Sequence, residues 1–130
     1  MRIENNSGLR VDLLPTGSIK SIEADPVRIS MMPATAYSRN GANLYLRIYS
    51  DSIRFIPLFG PQSQSEFSVC SSGFFFKGVY HSLTYKGVFG LSETGTSWNV
   101  AVEVENTSNA DVKVDVVYLQ DVGLKQATTG

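Results

Sequence analysis

Hydrophobic and polar residues alternate along most of this chain, most clearly near its end. Trp98, Val100, Val102 and Val104 fall on one face of an extended backbone while Asn99, Ala101, Glu103 and Glu105 fall on the other, the period-two pattern of a half-buried β-strand. Asn106-Thr107-Ser108-Asn109-Ala110 then supplies turn chemistry, and Val112, Val114, Val116 and Tyr118 resume the alternation against Lys113 and Asp115. The two runs together predict a long hairpin. Val116-Val117-Tyr118-Leu119 loses its polar face, which predicts cover on both sides there. Upstream, Leu9, Val11 and Leu13 alternate with Arg10 and Asp12, and Pro15-Thr16-Gly17 turns the chain into Ser18 to Ile22, predicting an opening hairpin. Leu44, Leu46 and Ile48 alternate with Tyr45, Arg47 and Tyr49, and Ile53 to Ile56 follows across Ser50-Asp51-Ser52 as a second hairpin.

Pro57 and Gly60-Pro61 are expected to stop that strand, because proline cannot donate to a sheet ladder. Pro33 to Asn43 reads as a longer loop and Gln62 to Ser65 as a surface loop. Glu66 to Cys70, Phe74 to Tyr80 and Leu83 to Leu91 are three further strands. No window carries a helical stripe, and short strands separated by turn signals predict an all-β, antiparallel β-sandwich in one domain, residues 1–130 being that domain or its first part.

Composition narrows the partners. At 130 residues and 14.2 kDa the chain is long enough to bury a core without staples. Its single cysteine, Cys70, can form neither an intrachain disulfide nor a Cys-rich metal site, which fits a reducing compartment. A net charge of −1 and a pI near 5.7 argue against nucleic acid as a partner. The first residues lack an apolar signal core and no segment approaches a membrane span, so a cytoplasmic location is expected. Asn5-Asn6-Ser7 and Asn106-Thr107-Ser108 match the glycosylation triplet, which has no force without a secretory route.

Little chemistry is on offer. The only imidazole, His81, lies between Tyr80 and Ser82 and reads as a sheet-face or edge residue rather than a catalytic base. With one His and one Cys, no metal ligand set is assembled, and no cofactor is expected. Glu103, Glu105 and Asp115 are explained as a solvated face screened by Lys113. Asp121, with Gln120 beside it at the end of an otherwise apolar strand, is the best candidate for a purposeful polar contact. Trp98 is a lesser candidate for sugar stacking, though it starts a core face. Phe74-Phe75-Phe76 puts two rings on one face and one on the other, so at least one face there must be covered.

Several segments together resemble a known family. Val104-Glu105-Asn106-Thr107-Ser108 and Val114 through Leu124, with Asn5 to Leu9, Gly17-Ser18-Ile19, Asn43 to Arg47 and Pro57 to Pro61, are similar in order and spacing to the N-terminal β-sandwich of cellobiose-phosphorylase-like enzymes, in the 1,2-β-oligoglucan phosphorylase branch. None of these segments is a catalytic signature. The resemblance implies a galactose-mutarotase-like supersandwich, of which this chain is one part, in a parent enzyme that cleaves β-glucosides with phosphate to give α-glucose 1-phosphate. It further implies a downstream helical catalytic domain as partner, homodimerisation, and contact with β-glucan oligosaccharide. The catalytic residues of that family lie beyond this segment, so none is carried over, and Gln120, Asp121 and Trp98 remain as substrate-contact candidates.

The expectation is therefore a non-catalytic N-terminal domain of a glycoside phosphorylase active in carbohydrate metabolism. The alternative is a free-standing carbohydrate-binding or protein-interaction module, which the β-sandwich pattern and the aromatic content favour by themselves. An independent small hydrolase built on His81 is the third and weakest reading.

Overall fold

A computed structural model describes residues 1–14, 18–24, 27–28, 42–60, 62–120 and 125–126. Those residues form only strands, turns and connections, and no helix among them is long and apolar enough to cross a membrane. The strands are β1 (Arg2–Glu4), β2 (Leu9–Leu13), β3 (Ile19–Ala24), β4 (Val27–Arg28), β5 (Ala42–Tyr49), β6 (Ile53–Phe59), β7 (Glu66–Cys70), β8 (Gly73–Tyr80), β9 (Leu83–Leu91), β10 (Trp98–Asn106), β11 (Lys113–Gln120) and β12 (Lys125–Gln126). They pair into sheet I, ordered β1-β2-β3-β4-β12, sheet II, ordered β11-β5-β6, and sheet III, ordered β10-β9-β8-β7. Every pairing is antiparallel, so the all-β, sandwich-like architecture expected from the alternation is the one found.

Sheet I shows why alternation makes a strand here. Leu9, Val11 and Leu13 point inward from β2 while Arg10 and Asp12 point out. Register places Ile3, Val11 and Ile22 side by side, and all three are fully buried. On the other face Arg2 pairs with Asp12 and Arg10 with Glu23, so the charges are matched across strands. The turn from β1 into β2 is held by Asn5. Its Oδ1 accepts from the amides of Ser7 and Leu9, and its Nδ2 donates to the carbonyls of Ser92 and Gly95 in the loop before β10. The first glycosylation triplet is thus spent on tying sheet I to sheet III.

The apolar faces of all three sheets meet in one core. Its centre is aromatic: Phe59 of β6 meets Phe74 and Phe76 of β8 edge-on at 5.4 and 5.7 Å, and Phe74 stacks on Phe89 of β9 at 5.2 Å. Such ring pairs contribute about 0.5–1.5 kcal/mol each beyond the area they bury. Glycine makes room for them, because Gly87 stands opposite Phe76 and Gly78 opposite Tyr85. A Cβ at Gly87 would lie 2.3 Å from the Phe76 ring, and one at Gly78 would lie 2.4 Å from the Tyr85 hydroxyl.

Four expectations are corrected. The predicted hairpin of the last two long strands does not form: β10 pairs with β9, whereas β11 crosses to sheet II and pairs with β5. Alternation identifies a strand and its inward face but carries no information about a distant partner. Pro57 does not stop β6. That strand is a sheet edge, where a missing N–H is tolerated, and Leu44 opposes Phe59 while Tyr45 opposes Pro57, leaving Leu58 as the extra residue of a bulge. The bulge lets consecutive Leu58 and Phe59 both face the core. The end of β11 is not covered on both sides, since Val116 and Leu119 are 41% and 55% exposed. His81 sits on no sheet face. It occupies the turn between β8 and β9 with φ +52° and its ring edge-on to Tyr80. The second hairpin, β5 with β6, and the strands at 66–70, 74–80 and 83–91 are as expected, while 33–41 lie outside the described residues.

Candidate functional site

Two of the three sequence candidates come together, through a residue that was not among them. Trp98 opens β10 at one edge of sheet III, and Gln120 closes β11 at one edge of sheet II. Tyr118 joins them: Trp98 Nε1 donates to the Tyr118 hydroxyl at 3.3 Å, and that hydroxyl donates to Gln120 Oε1 at 2.5 Å. Asp121 lies outside the described residues. Trp98 and Tyr118 are half-buried and pack on the core, and burial pushes the Tyr118 phenol up, with the Trp98 hydrogen bond opposing it. An indole whose edge is hydrogen-bonded and whose ring is packed inward holds two sheets together.

The acids resolve into structural pairs. Asp115 does not share a face with Glu103 and Glu105 but stands on sheet II opposite Arg47, which grips it with Nε and Nη2 at 2.7 and 2.6 Å. The Tyr49 hydroxyl donates to the same carboxylate at 3.0 Å. The Arg47 hydrogen bonds hold the Asp115 carboxyl below the usual range, against a smaller desolvation effect. Lys113 lies over the Tyr49 ring, its Nζ 5.0 Å from the centroid. Among the described residues no group of three His, Cys, Asp or Glu side chains is placed to hold a metal ion, and no buried side-chain nitrogen or oxygen lacks a hydrogen-bond partner.

The outer face of sheet III is different in kind. Its central row runs straight across the strands as Glu66, Lys77, Lys86 and Glu103, because Glu66 opposes Lys77, Lys77 opposes Lys86 and Lys86 opposes Glu103. Lys77 reaches Glu66 at 3.6 Å and Lys86 reaches Glu103 at 3.4 Å, and these four side chains are 70–78% exposed. Pairs so solvated contribute little to folding. The two lysines stand directly opposite each other, an arrangement that disfavours the isolated sheet. The next row is Ser68, Phe75, Val88 and Ala101, and on the other side Val79 opposes Thr84.

This face is a trough on either side of the charged row. One part, about 660 Å3, runs beside Phe75, Val88 and Ala101, and the other, about 520 Å3, beside Val79 and Thr84. Phe75 is 51% exposed and Val79 69% exposed, on a sheet whose opposite face already supplies the core. Sequence reasoning had the hint in Phe74-Phe75-Phe76, where one ring must point away from the other two. It missed the lysine row, because the direct opposition of Lys77 and Lys86 follows from register alone.

Residues 12–129 match the SOGP N-terminal domain, and the chain belongs to that family. No curated protein matches the chain. The family match corrects the resemblance drawn from the sequence: the family shown is that of the SOGP N-terminal domain, in place of a cellobiose-phosphorylase-like domain. The glycoside-phosphorylase function and the carbohydrate metabolism expected with it rested on that resemblance and are corrected with it. The segments that carried the resemblance are strand and turn sequences, which specify structure rather than chemistry.

Proposed function

We propose that this chain is a non-catalytic protein-interaction module that docks through the outer face of sheet III. The observation that carries the reading is the half-exposed pair Phe75 and Val79, set on either side of a solvated charged row in a shallow trough. Half-exposed apolar side chains gathered on one face of a sheet mark a contact surface. Among the described residues, Trp98, Tyr118 and Asp115 are each engaged in contacts between strands. The family description, an N-terminal domain, fits a module that meets further polypeptide.

The test is photo-cross-linking from position 75, with p-benzoylphenylalanine in place of Phe75 in the complete polypeptide in its own cells. Cross-links that converge on one protein segment, reached also from position 79, are expected. An absence of protein cross-links, or cross-links scattered without a common segment, overturns the reading. A titration with β-gluco-oligosaccharides followed by Trp98 fluorescence is expected to be flat, and a saturating change would favour a carbohydrate-binding module instead.

A further inference from the structure

We infer that the partner segment carries an acidic side chain flanked by apolar ones, with its carboxylate seated between Lys77 and Lys86; this rests on the docking face proposed above. Across sheet III the row reads acid, base, base, acid, so its centre is cationic and its two ends are anionic. Cα atoms of directly opposed residues are about 4.5–5.5 Å apart, which lets one carboxylate reach two ammonium groups on neighbouring strands. Glu66 and Glu103, which meet Lys77 at 3.6 Å and Lys86 at 3.4 Å, stand at the two ends of the row, so the register leaves the two lysines as direct neighbours at its centre. A carboxylate placed there relieves the lysine–lysine opposition that the folded sheet otherwise keeps.

The apolar positions fix the rest of the occupant. Phe75 and Val88 lie on one side of the lysine pair and Val79 on the other, along the strands. A segment running across the charged row would set an apolar side chain in each part of the trough and its acid in the middle. A second copy of this chain does not meet that description. Turning the face onto itself about a two-fold axis through the centre of the row sets lysine on lysine and glutamate on glutamate. Nucleic acid fits poorly as well, because Glu66, Glu103 and Glu105 ring the same surface.

The experiment repeats the cross-linking from position 75 in the complete polypeptide with Lys77→Glu and Lys86→Glu together. The yield is expected to fall more than about tenfold, because like charges then meet in the interface. Lys77→Arg with Lys86→Arg is expected to keep the yield, and the segment cross-linked in the unaltered background is expected to hold Asp or Glu beside the reacted position. Lys77→Gln with Lys86→Gln, checked by a circular dichroism melt, separates loss of the contact from loss of the fold. Should the cross-link persist undiminished in the glutamate pair, or the segment contain no acid, this inference fails while the docking face stands. A segment belonging to another copy of residues 1–130 overturns it equally. An absence of any cross-link in the unaltered background fails the docking face itself.

Discussion

The indole nitrogen of Trp98 lies 3.3 Å from the Tyr118 hydroxyl, so the free edges of sheets III and II are fastened to each other by two side chains twenty residues apart. The two strands were expected to be hydrogen-bonded neighbours and are instead joined only by side chains. Trp98→Phe keeps most of the packed ring and removes the donor, and a net cost of about 1 kcal/mol is expected. Tyr118→Phe removes both the acceptor for Trp98 and the donor to Gln120. A double-mutant cycle read by urea denaturation should show the two changes to be less than additive, and strict additivity would mean that the bond contributes nothing. Burial raises the Tyr118 phenol, so its contribution is full below the ordinary phenol value near 10 and drains as pH rises from there toward the folded value. Tyr118→Phe should therefore flatten the alkaline loss of stability.

On the acid side the sensitive pair is Arg47 with Asp115. The arginine hydrogen bonds depress the Asp115 carboxyl, so its contribution is full above the ordinary carboxylate value near 3.9 and is lost as pH falls from there toward the folded value. Asp12 behaves in the same way, its carboxyl lowered chiefly by the hydrogen bond from Arg2. Thermal melts between neutral pH and pH about 2 should show a falling melting temperature below pH about 4. Asp115→Asn should lower the neutral-pH plateau and weaken that acid dependence. An unchanged acid limb would assign the loss to Asp12 and the other carboxylates.

Two glycines three positions apart on β9 should respond oppositely to alanine. A Cβ at Gly87 meets the Phe76 ring at 2.3 Å and the Ala101 carbonyl oxygen at 2.7 Å, and the second of these is backbone that cannot swing aside. At Gly90 the nearest atom is the Asn99 Oδ1 at 3.7 Å. Gly87→Ala is expected to cost about 1–3 kcal/mol through overpacking, whereas Gly90→Ala should fall between neutral and about 1 kcal/mol stabilising. Equal losses at both positions would contradict the inward placement of Phe76.

How much of this was readable beforehand depended on sequence distance. β2 with β3 and β5 with β6 were legible because a short turn fixes both the partner and its approximate register. The pairing of β11 with β5 was not, since Asp115 and Arg47 are 68 residues apart and either could have met another charge on a polar face. Pro57 misled because the rule against proline in a ladder applies to central strands, and nothing local marked β6 as an edge. Among the site residues, Trp98 and Gln120 were legible as unusual but their connection through Tyr118 was not. Tyr118 looked like one more inward residue of an alternating strand. The acids followed the same logic: Glu103 and Glu105 were correctly placed opposite Trp98, yet the lysine that meets Glu103 is Lys86 rather than Lys113.

His81 supplies a test of turn against chemistry. With φ +52° it occupies the left-handed region, which costs a non-glycine residue roughly 1 kcal/mol, partly offset by its edge contact with Tyr80. His81→Gly is thus expected to leave stability unchanged or raise it by up to about 1 kcal/mol, and to leave cross-linking from position 75 untouched. A marked loss of cross-linking would restore a functional role to the only imidazole in the chain, whereas a loss of stability would assign a structural one to its contact with Tyr80.

Phe75 and Phe76 are consecutive, chemically identical and opposite in fate. The Phe76 ring is 1% exposed and packs on Phe59 at 5.7 Å, while the Phe75 ring is 51% exposed on the far face of the same strand. Phe76→Ala should cost about 3–5 kcal/mol, as for an aromatic removed from a packed core. Phe75→Ser in the 130-residue chain should cost about 1 kcal/mol, because half of the side chain it removes is covered. With the proposed partner bound, the same Phe75→Ser change should cost measurably more. The difference between the two backgrounds measures what the partner contributes at that ring. Equal effects in the two backgrounds would mean that nothing covers Phe75, and the surface would then be an ordinary solvated sheet face.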